Sequence, residues 1–175
     1  MSSFNLLRVF VSKIGLVLAL LIGYGLTSGC GFQPLHDSAT SVDSSLGSTR
    51  VSIIAERNGQ ILHNHLRDKL NPEGLAPNPL YGLTVGLNIV TRTTGFTSDQ
   101  SATYATIVAS ANYVLTRHTD SVEVYKGTAE AVTSFNKFVT PYTNRYSEKD
   151  ATERALASLS EDIYNSLSTY FATTN

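Results

Sequence analysis

Ser101-Ala102-Thr103-Tyr104-Ala105-Thr106-Ile107-Val108-Ala109-Ser110-Ala111-Asn112-Tyr113-Val114-Leu115-Thr116 alternates along its whole length. Ala105, Ile107, Ala109, Ala111, Tyr113 and Leu115 fall on one face. A period of two sustained that far means a long β-strand with one buried side. Upstream, Leu80 to Thr91 repeats the pattern. Tyr81, Leu83, Val85, Leu87 and Ile89 point one way; Gly82, Thr84, Gly86 and Asn88 point the other. The stretch between, Thr93 to Asp99, reads as a polar loop carrying an exposed Phe96. Downstream, Arg117 to Ser121 makes a turn, and Val122 to Phe138 is a third long strand. Gly127 marks a bulge or a close approach within it.

Two helices flank these strands. Glu56 to Leu70 places Ile61, Leu62, His65, Leu66 and Leu70 on one helical face, with Asn58 or Gly59 as its cap. Asn71-Pro72-Glu73-Gly74 stops it. Near the C-terminus, Ala151, Ala155, Leu159, Ile163, Leu167 and Tyr170 or Phe171 form a long apolar stripe. Ser147 is the expected N-cap, with Glu148 and Asp150 in the first turn where the helix dipole favours acids. That helix runs to about Ala172, and Tyr142 and Tyr146 ahead of it read as core or helix-packing residues. A short run, Val51 to Ala55, supplies a first strand. The order is β-α-β-β-β-α. The economical packing is an α+β two-layer sandwich, with two helices on one face of a mainly antiparallel four-stranded sheet.

The N-terminal segment has a different character. Arg8 and Lys13 precede Ile14 to Leu26, an uncharged apolar run too short and too glycine-broken for a spanning helix. Ser28 and Gly29 then lead to Cys30, the single cysteine of the chain. The arrangement resembles the bacterial lipobox, with Thr27 where Leu is usual. A lone cysteine forms no internal disulfide, and lipidation accounts for both its solitude and its position. Residues 1–29 are therefore read as a lipoprotein signal peptide. Residues 30–50 are read as the lipidated N-terminus and a flexible tether, since His36 to Thr49 is rich in Ser and lacks hydrophobic periodicity. Residues 51–175 form the domain. Gly31 after the cysteine favours the outer membrane in the sorting scheme of well-studied Gram-negative bacteria, where Asp at that place favours the inner one.

Composition narrows the function classes. The chain has 13 basic and 14 acidic side chains, and Arg8 and Lys13 leave with the signal. The remainder is net acidic, which argues against a nucleic-acid partner. Nine Tyr, seven Phe and no Trp, among abundant Thr and Ser, suit a β-rich exported protein. No Gly-rich phosphate loop follows a strand. His63 and His65 stand two apart on a helix and so face different directions, a poor metal pair. No catalytic residues, cofactor or metal are expected.

Taken together, the chain resembles the LPS-assembly lipoprotein family, LptE. The resemblance is carried by Cys30-Gly31-Phe32-Gln33-Pro34-Leu35, by the order of elements, by Thr133-Ser134-Phe135-Asn136, and by Asp150-Ala151-Thr152-Glu153-Arg154-Ala155. It implies a palmitate-bearing outer-membrane lipoprotein that is no enzyme. Such a protein plugs the lumen of the LptD β-barrel, helps assemble it, and supports lipopolysaccharide transport to the cell surface. The domain then sits on the periplasmic side or within the lumen. Contact with lipopolysaccharide phosphates calls for cations, and Arg92, Arg117, Lys126 and Lys137 are the candidates. Arg92 and Lys137 are expected at the same end of neighbouring strands. Phe96 and Tyr104 are candidate barrel contacts. The residues alone also admit a lipoprotein binding module of another cell-envelope complex, or an envelope hydrolase.

Overall fold

The structure is a computed structural model that describes residues 41–96, 102–137 and 140–174. Its elements are α1 (Ser41–Gly47), β1 (Thr49–Val51), α2 (Glu56–Leu70), β2 (Tyr81–Phe96), β3 (Ala102–Arg117), β4 (Val122–Asn136) and α3 (Pro141–Thr174). The four strands form one sheet in the order β1-β2-β3-β4. β1 runs parallel to β2, while β2-β3 and β3-β4 are antiparallel. The architecture is the expected α+β arrangement, with helices packed on a four-stranded sheet.

The alternation on β3 sets the core. Ala105, Ile107, Ala109, Ala111, Tyr113 and Leu115 are all buried. The small side chains at 105, 109 and 111 leave room for helices to approach the sheet. Leu62, Leu66 and Leu70 of α2 join this core, as do Ala155, Leu156, Leu159, Ile163, Leu167 and Phe171 of α3. Each leucine so buried contributes about 1.5–3 kcal/mol. Lys69 of α2 and Glu161 of α3 form an ion pair over the helix seam. Among the described residues, no helix is long and apolar enough to cross a membrane.

The segment expected as tether is partly folded. Val42 and Leu46, four residues apart, both enter the core from α1, although seven residues show too little periodicity to stand out among serines. The Ser48 and Thr49 hydroxyls close the turn by donating to the carbonyls of Ser44 and Ser45. The first strand accordingly lies at Thr49–Val51, earlier than expected, and Ile53 is exposed beyond it. α2 starts after Ala55, which makes no side-chain cap bond. Glu56 takes φ +67 there, turning the chain sharply into the helix. Gly59, read as a cap, instead packs against Ile54, whose side chain and backbone would meet any added Cβ within 3.0 Å.

Two further boundaries differ. β2 continues to Phe96 through the stretch read as loop, paired with β3 as far as Phe96 opposite Ala102. α3 begins at Pro141, not at Ser147. A proline suits the first helical turn, where its missing N–H is not needed. The early start lifts Tyr142 and Tyr146 away from the core: they are 75% and 65% exposed, with ring centroids 6.3 Å apart.

Gly127 marks a close approach, not a bulge. Tyr113 faces it across the β3-β4 ladder. An added Cβ would stand 2.5 Å from the Tyr113 hydroxyl oxygen and 2.6 Å from its ring carbon Cζ. The register shift lies elsewhere, between Leu115 and Thr116. Burial pushes the Tyr113 phenol above its ordinary range, against a hydrogen bond with Ser166 that pulls it down; nearby Tyr125 and Asp162 add to the rise. Because the ring is buried and cannot swing aside, Gly127→Ala is expected to cost about 1–3 kcal/mol of unfolding free energy by overpacking. Urea denaturation checks this; an unchanged midpoint would contradict the tight contact.

Candidate functional site

Among the described residues, helices cover only the odd-numbered face of the long strands. No described element covers the other face, and the strand registers fix what it presents. Val90, Val108 and Val132 lie in one row across β2, β3 and β4. Val90 is 40% exposed and Val132 59% exposed. Arg92, Thr106 and Ser134 form the next row, where the Thr106 and Ser134 hydroxyls lie 3.1 Å apart. On the other side of the valines come Asn88, Ser110 and Glu130, then Gly86, Asn112 and Thr128, then Thr84, Val114 and Lys126. Tyr104, 40% exposed, stands opposite Asn136 beyond the Arg92 row. None of the even-numbered positions from Tyr104 to Thr116 is buried. The face is therefore a sheet of hydroxyls and amides crossed by one aliphatic stripe, with Arg92 toward one end, Glu130 beside the valines, and Lys126, Glu123 and Arg50 toward the other end.

The four candidate cations do not converge. Arg92 and Lys126 share the open face but are eight residues apart in register, about 27 Å at strand rise. Arg117 ends β3 at the turn and pairs with Asp120 at 3.6 Å. Lys137 lies just past β4 at the Arg92 end. That pair shares an end as expected, yet their strands are not neighbours, because β3 runs between β2 and β4. Cys30 lies outside the described residues, as does the Phe96 side chain.

The sequence reading missed two things. The valine row occupies the second phase of each strand, which becomes visible only once register aligns Val90, Val108 and Val132. Arg145 and Lys149 lie on the early part of α3 and line a groove with β2 residues Val85 to Ile89 and Thr91. Arg145 came into helical register only with the start at Pro141. His63 engages the Ser52 carbonyl through Nδ1 at 3.1 Å, a backbone contact. Among the described residues, no group of three or more His, Cys, Asp or Glu side chains could hold a metal ion.

Solved structures share this fold. A candidate lipoprotein of Caulobacter crescentus is 24% identical, with a TM-score of 0.63 over 75% of this chain and 96% of that one. Rare lipoprotein B of Shewanella oneidensis superposes at 0.54 with 9% identity, over 71% of this chain and 95% of that one. A minor lipoprotein of Acinetobacter baumannii also gives 0.54, at 17% identity, over 69% and 90%. No protein-family profile matches the chain, and no curated protein matches it by sequence. The class these likenesses define is a fold, one used by bacterial lipoproteins and matched over nearly the full length of those structures.

If the even face is free surface, hydroxyl-for-methyl exchange there is tolerated. Val132→Thr should change unfolding free energy by less than about 0.5 kcal/mol. Ile107→Thr, on the buried face one row away, should cost about 2–4 kcal/mol. Equal losses in chemical denaturation would mean that the open face is covered.

Proposed function

We propose that this is an outer-membrane lipoprotein, held by acyl chains on Cys30, that plugs the LptD barrel, helps assemble it and supports lipopolysaccharide transport to the surface. The observation that carries the reading is the open sheet face. A broad surface of Thr, Ser, Asn and Val with few charges suits permanent contact with another protein better than free exposure. The lipoprotein fold of the structural neighbours and the LptE-like motifs supply the rest. The mechanism is binding and scaffolding, with no bond made or broken.

Within this reading the Arg92 end of the sheet has the best case for phosphate contact. Arg92 and Lys137 lie toward that end, one on β2 and one just past β4, which suits a headgroup bearing separate phosphates. Tyr104 lies there too. Arg117 is already paired to Asp120 and is the weakest of the candidates. Lys126 lies near the other end, one row from Glu123.

In vivo photocrosslinking tests the proposal. A photoreactive residue at Tyr104, Thr106 or Val132 should give adducts with a large integral outer-membrane barrel, and at Arg92 or Lys137 with lipopolysaccharide. Cys30→Ala should release the protein from the membrane fraction and lower surface lipopolysaccharide. Recovery as a soluble monomer, or normal surface lipopolysaccharide after depletion, would overturn the reading. Adducts to a different envelope protein would assign the domain to another complex.

A further inference from the structure

β1 is much shorter than the strand it pairs with. It covers Tyr81 to Leu83 of a strand that continues to Phe96. The Ser52 N–H donates to the Leu83 carbonyl at 2.8 Å, and the chain then leaves toward α2. That bond shows which way the Leu83 carbonyl points. Backbone groups in a strand alternate sides with a period of two. The N–H and C=O groups of Val85, Leu87, Ile89 and Thr91 therefore point the same way, along an edge that no described strand pairs.

This edge lacks the usual protection. Natural edge strands are blunted by charges, prolines, bulges or shortness. From Thr84 to Phe96 there is one charged residue, Arg92, and no proline. The opposite edge is different: β4 carries Glu123, Lys126 and Glu130, and the ladder beside it is irregular at Leu115/Thr116.

Beside the β2 edge lies a groove of about 740 Å³ between the start of α2 and the early part of α3. Ile61, Leu87 and Ile89 form its apolar part and are only partly buried. Its charged rim is balanced, with Arg57, Arg145 and Lys149 against Glu56, Glu148 and Glu153. Lys149 and Glu153 pair with each other, and Glu148 accepts from the Thr91 hydroxyl. A neutral rim selects for neither an anion nor a cation.

We propose that the free edge of β2 from Val85 to Thr91 receives an extended segment of a partner protein, which adds to the sheet as a strand beyond the end of β1. The geometry commits to a polypeptide. Donors and acceptors recurring every second residue along a straight edge are matched by another extended backbone. An acyl chain would leave them unpaired. The groove would take the segment's alternate side chains, with Ile61, Leu87 and Ile89 offering an aliphatic contact and the balanced rim favouring no net charge. This does not depend on which envelope complex the protein serves.

Residue-resolved amide hydrogen exchange on the full-length lipoprotein in detergent tests it. The probe is a capped octapeptide alternating valine with threonine and lysine. On adding it, the amides of Val85, Leu87, Ile89 and Thr91 should exchange at least about tenfold more slowly. Those of Gly86, Asn88 and Val90, already facing β3, should not change. The same peptide N-methylated at alternate residues along its pairing edge should have no effect. The proposal is overturned if the peptide leaves all four amides fast, or if the N-methylated form protects equally. It is also overturned if the four are already slow in the isolated protein, or slow only as its own concentration rises. Those last results would make another part of this chain, or a second copy, the occupant.

Discussion

β3 is paired on both sides from Tyr104 to Arg117, and its register constrains everything around it. Its odd-numbered side chains from Ala105 to Leu115 are all in the core. A slip of one residue would turn Ile107, Tyr113 and Leu115 to water and bring Thr106, Ser110 and Asn112 inside. The helices depend on that choice, because Leu62, Leu66, Leu159 and Ile163 have no other apolar surface to meet. The open face depends on it equally. The register that buries one phase of β3 aligns the other phase into rows with β2 and β4. Gly127 adds a second pin, since the Tyr113 ring fits only where its cross-strand partner has no side chain.

Much of this was legible because its periods are long. Sixteen alternating residues in β3, or an apolar stripe from Ala151 to Phe171, leave little room for another reading. The misses share a cause: each depends on a few residues whose meaning is set by distant neighbours. Val42 and Leu46 look like isolated apolar residues in a serine-rich tether until the sheet supplies a core for them. The α3 start at Pro141 was hidden because Tyr142 and Tyr146 look like core residues, while the helix there extends past the sheet's cover and leaves them exposed. The candidate site was less legible than the fold. Charge types can be read from a sequence, but convergence is a property of register, and register separates Arg92 from Lys126.

The arrangement joins two kinds of binding surface on one scaffold. The open face is broad and dominated by hydroxyls, amides and valines, fit for lying against a wall of another protein. The edge of β2 is narrow and directional, fit for one extended segment. Both follow from the same economy: the three described helices cover one side of the sheet, and a three-residue β1 covers a fraction of its edge. A domain built this way leaves much of the described sheet uncovered, as the proposed scaffolding role requires.

The central claim is that the even-numbered face of the sheet is the working surface. Single-cysteine scanning from Tyr104 to Thr116 tests it most directly, since the acylation proposed for Cys30 would consume the single native thiol. In the purified lipoprotein, even positions should react with a maleimide and odd positions should not. In intact outer membranes the even positions should become protected. Labelling without alternation would contradict the register, and even positions equally reactive in both settings would contradict the assignment of that face to a partner.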